Sequence, residues 1–156
     1  MLVIRADLVD EIVAHARRDH PDEACGVIAG PAGSDRPERF VPMLNAARSP
    51  TFYEFDSGED FRLHRELEAG DEERVVIYHS HTATEAHPSR TDIAIAGYPE
   101  AHYVLVSTRE DAQINSTGHE FRSFRIVDGV VTEEEVQVVE TYMFAHTGAD
   151  DVPDNA

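Results

Sequence analysis

The residues best suited to chemistry are His79, His81 and Asp92. The two histidines close an apolar, β-branched run, Val75-Val76-Ile77-Tyr78-His79-Ser80-His81, which reads as a buried strand. Side chains at i and i+2 of a strand share a face, so the two imidazoles can converge on one point; on a helix they would lie roughly 200° apart. Asp92 lies eleven residues beyond His81, a distance a loop can fold back across. Two imidazoles, one carboxylate and an open fourth position are the ligand set of a catalytic zinc ion.

Each part of this pattern has a plainer reading. Pro88-Ser89-x-x-Asp92 also resembles a helix entry with a capping box, the serine capping and the acid answering from the first turn. Capping and ligation are compatible, because an acid in the first turn can face outward from the helix end. Paired histidines at a strand end are a weak signal alone. The joint spacing is the strong one: His79-Ser80-His81, seven residues, Ser89, two residues, Asp92.

With Glu23 upstream, that spacing resembles the JAMM/MPN+ metallopeptidase signature, and every position of the signature is filled. The Glu23-Ala24-Cys25-Gly26 turn and the run from His79 to Asp92 are most similar to a short, single-domain bacterial branch. That branch includes the Mec-type peptidases, which trim a cysteine from the C-terminus of a ubiquitin-like sulfur-carrier protein. The resemblance covers roughly residues 1–140, leaving 141–156 as an acidic tail. It implies an α-β-α MPN domain of the α+β class, with one catalytic Zn²⁺ per chain on His79, His81 and Asp92. It also implies hydrolysis of a peptide or isopeptide bond at a ubiquitin-like tail, in a route to cysteine. The resemblance, more than sequence position, singles out Glu23 as general base among 31 acids. Ser89 is the implied donor to the tetrahedral oxyanion, and Ser80, facing the other way on the strand, supports the ligands. His87 reads as solvated or at the substrate's edge. The alternatives are a general deconjugating or small-peptide hydrolase, and a non-catalytic MPN scaffold, for which an open coordination position has no use.

Composition narrows the rest. The chain carries 13 Lys+Arg against 31 Asp+Glu, a net charge of −18, which repels phosphate backbones and makes nucleic acid a poor partner. Cys25, the single cysteine, excludes an internal disulfide framework and the Pro-Cys-x-x-Cys of nucleobase deaminases, and it reads as a small buried hydrophobe. No His-Glu-x-x-His helix and no Gly-x-x-x-x-Gly-Lys loop occur. Arg5 and Asp7 interrupt the apolar start at once, and no run approaches a membrane span, so a cytoplasmic protein without a signal peptide is expected. The oligomeric state stays open, a homo-oligomer included.

The remaining elements must carry the site. A short strand over residues 2–4 precedes a helix over about 8–19, capped by Asp7, with Leu8, Ile12, Val13 and Ala16 in one stripe and His15 solvated. Residues 25–29 read as a buried strand, and 39–45 and 52–56 as two more. A helix over about 59–69 follows, capped by Asp56 or Ser57, with Phe61, His64 and Leu67 as a weak apolar face. Ser89 starts a helix through about Ala96. Strands are expected at 102–107, 121–127 and 130–139, the last two joined by an Asp128-Gly129 turn, and a frayed tail from about Gly148.

Overall fold

The structure, a computed structural model, describes residues 1–143. In chain order the elements are β1 (Leu2–Arg5), α1 (Ala6–Asp19), β2 (Cys25–Pro31), β3 (Arg39–Met43), α2 (Ser57–Gly70), β4 (Glu72–His81), α3 (Arg90–Ile95), β5 (His102–Ser107), β6 (Phe121–Val127), β7 (Val130–Glu134) and β8 (Val136–Val139). Six strands form one mixed sheet in the order β3-β2-β4-β5-β6-β7, while β1 and β8 pair in parallel as a second, two-stranded sheet. Within the large sheet only β4 and β5 run parallel. A parallel pair cannot be joined by a tight turn, so the chain must cross over between them. That crossover, residues 82–101, carries α3 and brings Asp92 back over the end of β4.

The sheet is covered on both faces, giving the expected α+β, α-β-α arrangement. Val76 and Tyr78 of β4 pack with Leu8, Ile12, Val13 and Ala16 of α1. Ile77, of opposite parity, packs with Leu63 and Leu67 of α2 and with Tyr103, Leu105 and Phe124. Strand alternation then puts His79 and His81 on the α2 face, with Ser80 facing the α1 side. Among the described residues no helix is long and apolar enough to cross a membrane.

Several elements differ from the sequence expectation. α1 begins at Ala6 and its N-cap is Arg5, without a side-chain cap bond; Asp7 sits in the first turn and accepts from Arg5 Nε at 3.0 Å. His15 is buried rather than solvated: its Nδ1 lies 2.6 Å from the Tyr78 hydroxyl and its Nε2 3.0 Å from Asp19. Residues 52–56 are not a strand, and only Phe55 makes an isolated bridge, to Asn45. There the Asn45 side chain replaces a neighbouring strand, donating to the carbonyls of Glu23 and Phe52 and accepting from the amides of Ala47 and Glu54. In α2 the buried face is Leu63 and Leu67, and Phe61 is exposed. The expected strand over 130–139 is split, because Val136 and Val138 leave the large sheet to pack against the α1 core. From residue 144 on, the expected acidic tail lies outside the described residues.

Candidate metal centre

The centre is built at the C-terminal end of β4. Cys25 of β2 is in register with His79 in the antiparallel pair, and continuing that register by two residues brings Glu23 level with His81. Two bonds hold the continuation: Ser80 N donates to the Ala24 carbonyl at 3.0 Å, and Ala24 N donates to Ser80 Oγ at 2.8 Å. Ser80 thus fixes the chain beside Glu23 from the opposite face of the strand. The Glu23 backbone is held further by Asn45 Nδ2 on its carbonyl and by the Ser49 carbonyl on its amide, both at 2.9 Å.

Asp92 arrives on α3. The helix is only Arg90–Ile95 and needs its cap, which takes the capping-box form: Ser89 Oγ accepts from Asp92 N at 3.0 Å, and Asp92 Oδ2 accepts from Ser89 N at 2.8 Å. The same Oδ2 lies 3.1 Å from His79 Nε2 and 3.1 Å from His81 Nε2. Capping and convergence on the histidines therefore use one oxygen.

His79, His81 and Asp92, all buried, each offer a ligand atom within 4.8 Å of the others. Ligands bound at about 2.0–2.1 Å in a tetrahedron stand about 3.3 Å apart. The observed 3.1 Å separations are close to that edge. The tautomers point the same way. His81 Nδ1 donates to the Glu85 carbonyl at 2.8 Å, which in the neutral ring leaves a lone pair on Nε2 facing the Asp92 carboxylate. A positive charge between that lone pair and the carboxylate, a proton in the metal-free chain or a metal ion in its place, satisfies both. The residues present fit a zinc ion.

The electrostatics show this tension. Burial would raise the Asp92 carboxyl, but hydrogen bonds with His79 and His81 hold it well below the usual range. Burial pushes His79 down, while for His81 the Asp92 carboxylate and Glu85 carbonyl outweigh burial and raise it. Burial, reinforced by Asp92, pushes Glu23 up to about 7, and its Oε1 is buried without a hydrogen-bond partner. Cys25 is fully buried with its thiol pushed up to about 12, which makes it a packing residue.

All five expected site residues thus belong to one end of the sheet: the ligand atoms of His79, His81 and Asp92 converge, Glu23 lies beside them, and Ser89 caps the helix that brings Asp92. His87 stays outside the convergence; its ring stands edge-on to Phe124 with centroids 5.3 Å apart. Sequence reasoning missed Tyr53, whose ring stacks on His79 at 4.3 Å between centroids. It lines a cavity of about 310 Å³ with Phe52, Phe55, Ile95, Tyr98 and Tyr103. The aromatic alternation of 52–55 was visible but gave no sign of contact with a histidine 26 residues on.

The pattern of the family described as prokaryotic homologs of the JAB domain matches residues 5–127. CysO-cysteine peptidase of Mycobacterium tuberculosis (strain ATCC 25618 / H37Rv) is 68% identical over 142 residues, covering 91% of this chain and 94% of that protein. Desampylase of Haloferax volcanii is 33% identical over 133 residues, 80% of this chain and 94% of that one. Among solved structures, protein DSY2949 from Desulfitobacterium hafniense aligns with a TM-score of 0.75 at 29% identity, over 94% of this chain and 98% of that chain.

Proposed function

The chain belongs to the prokaryotic JAB-domain family, and on that premise we propose that it is a zinc-dependent peptidase acting on the C-terminal tail of a ubiquitin-like sulfur-carrier protein, releasing cysteine. The substrate is supported by 68% identity, over nearly the whole length of both chains, to a protein named for cleaving CysO-cysteine. The chemistry rests on one observation: a buried, unpartnered Glu23 carboxyl beside three converging ligand atoms. The catalytic domain is residues 1–140, with 141–156 appended, and a cytoplasmic setting goes with the unpaired, buried Cys25.

His79, His81 and Asp92 hold the zinc. Bound there, the ion would act as a Lewis acid and bring the pKa of a water down to about 7. Glu23, pushed up to about 7, is poised at neutral pH both to take a proton on its carboxylate and to return it to the leaving amine. Ser89 Oγ uses a lone pair on Asp92 N, which leaves its own proton free to donate to a developing oxyanion. Desampylase, at 33% identity, supports a second reading in which this machinery removes whole ubiquitin-like proteins from their conjugates.

The test is mass spectrometry of a ubiquitin-like sulfur carrier bearing a C-terminal cysteine adduct, incubated with zinc-loaded protein or its Glu23→Gln variant. Loss of one cysteine with the native chain alone is expected. An unchanged carrier mass with zinc bound at one per chain refutes the cysteine-releasing reading and favours the deconjugating one.

A further inference from the structure

Behind the metal centre, on β6's approach, lies a carboxylate that the proposed chemistry does not use. Glu120 is 2% exposed and accepts three hydrogen bonds: from Ala86 N at 2.7 Å, Arg109 Nε at 2.8 Å and Gln113 N at 2.8 Å. Its Oε2 serves Ala86, while its Oε1 serves Arg109 and Gln113. The loop it grips is the one that orients His81. The Glu85 carbonyl receives His81 Nδ1 at 2.8 Å and the His87 amide at 2.8 Å.

The Glu85 carbonyl and the Ala86 amide belong to the same peptide unit, and that unit is trans. In a planar trans peptide the C=O and N–H point in opposite directions, so fixing one fixes the other. We propose that Glu120 is a positioning residue for the metal centre, which sets the orientation and tautomer of His81 through the single peptide unit between Glu85 and Ala86. This rests on the zinc reading above.

Two effects pass through that unit. The first is geometric: with its amide held by Glu120, the peptide plane cannot rotate its carbonyl away from His81. Ser107 Oγ, donating to the Thr84 carbonyl at 2.6 Å, fixes the neighbouring peptide and makes the hold two-point. The second is electronic. A carboxylate on the N–H polarises the amide, its carbonyl becomes a stronger acceptor, and the Nδ1 proton it receives leaves Nε2 more basic. Burial would raise the Glu120 carboxyl, but the hydrogen bonds from the Gln113 and Ala86 amides, and then the Arg109 guanidinium, bring it down and keep it ionised and in place.

The test is zinc affinity by chelator competition on the full chain, comparing native protein with Glu120→Gln. A glutamine has one acceptor oxygen, and the Arg109 cation draws it to its own side, turning the NH₂ against the Ala86 amide. Glu134→Gln serves as control, since Glu134 is also an ion-paired carboxylate, largely covered, but it lies on β7 and its partners are His102, Ser123, Arg125 and the N-terminal amine. Glu120→Gln should bind zinc about 10–100-fold more weakly, with an altered visible spectrum of the Co²⁺-substituted protein, while Glu134→Gln binds like the native chain. Equal zinc affinity and an unchanged Co²⁺ spectrum in Glu120→Gln would overturn the inference, as would equal weakening in both variants, which marks general destabilisation. Should Glu120→Gln fail to fold, Ser107→Ala releases the same loop at Thr84 and should weaken zinc binding to a smaller extent; native affinity there would also overturn it. A native chain that binds no zinc strikes down the proposed function and this inference with it, and so is told apart from a failure of Glu120 alone.

Discussion

Replacing Glu23 with glutamine should stabilise the metal-free protein while abolishing its peptidase activity. Burial, reinforced by Asp92 and opposed by His81, pushes the Glu23 carboxyl from 4.5 up to about 7. A carboxyl with a higher pKa folded than unfolded holds its proton more tightly in the native state. Its contribution is therefore complete below about pH 4.5 and is lost as the pH rises through about 7. That displacement is worth at most about 3 kcal/mol, felt in full by pH 8. Glutamine keeps the shape and carries no charge to bury. In denaturant unfolding of metal-free protein, Glu23→Gln should exceed the native chain by up to about 3 kcal/mol at pH 8, and the two should nearly coincide at about pH 4. Turnover should fall by about 10²–10⁴-fold, the usual contribution of a positioned general base, with zinc still bound. A glutamine variant no more stable than native at pH 8 would refute the buried-charge argument, and turnover within tenfold of native would refute the role.

Asp92→Ala removes a ligand and half of the capping box together, so metal analysis should find no bound zinc and α3 should lose about 1 kcal/mol of capping stabilisation; retention of stoichiometric zinc would contradict the ligand assignment. Acid should weaken the fold through Glu134. Burial raises its carboxyl, but hydrogen bonds with His102 and Ser123 outweigh that and hold it at about 2, so its stabilisation is present above about pH 4.5 and lost as pH falls toward 2. In Glu134→Gln that part of the acid transition, followed by circular dichroism, should be missing. Gly26→Ala places a Cβ into the ring of Tyr78, which is fully buried and bonded through its hydroxyl to His15. It should cost about 1–3 kcal/mol by overpacking, and a melting temperature equal to native would show that β2 and β4 can separate locally.

How far the sequence reached depended on the range of the interaction. The strand ending in His79-Ser80-His81 was legible because β-branched composition and the i, i+2 rule are local. Ser89 and Asp92 were legible because a capping box is four residues long. The limits appeared wherever a long-range partner decided the outcome. His15 is off the apolar stripe of α1 and read as solvated, yet Tyr78, 63 residues away, buries it. Residues 52–56 have the composition of a strand, but the Asn45 side chain already occupies their backbone groups. β8 continues the apolar run of β7, and only the position of β1 makes it change sheets. Glu120 was one acid among 31, and its link to His81 runs through backbone atoms that carry no sequence signature.

Asp92 Oδ2 ties these features into one energetic argument. The same oxygen closes the cap of α3 and faces both histidine Nε2 atoms, so the helix end and the ligand set share a single position. In the metal-free chain buried polar atoms are left without partners around that position: Oε1 of the Glu23 carboxyl, and Nδ1 of fully buried His79. Among the described residues, the other buried atoms without a hydrogen-bond partner belong to one ion pair, Asp60 with Arg74, while Glu120 is matched by Arg109 and Glu134 by His102. The fold therefore carries its frustration where a cation would relieve it, as expected of a site shaped for binding rather than for stability. Zinc at a hundredfold excess over its dissociation constant would return about 2.7 kcal/mol, comparable to what burial of Glu23 alone withholds. Ion binding and the ordering of α3 should accordingly appear as one cooperative event: titrating zinc into the metal-free chain should protect the amides of Asp92 and Ile93 from hydrogen exchange in proportion to occupancy, and protection complete before zinc is added would break that link.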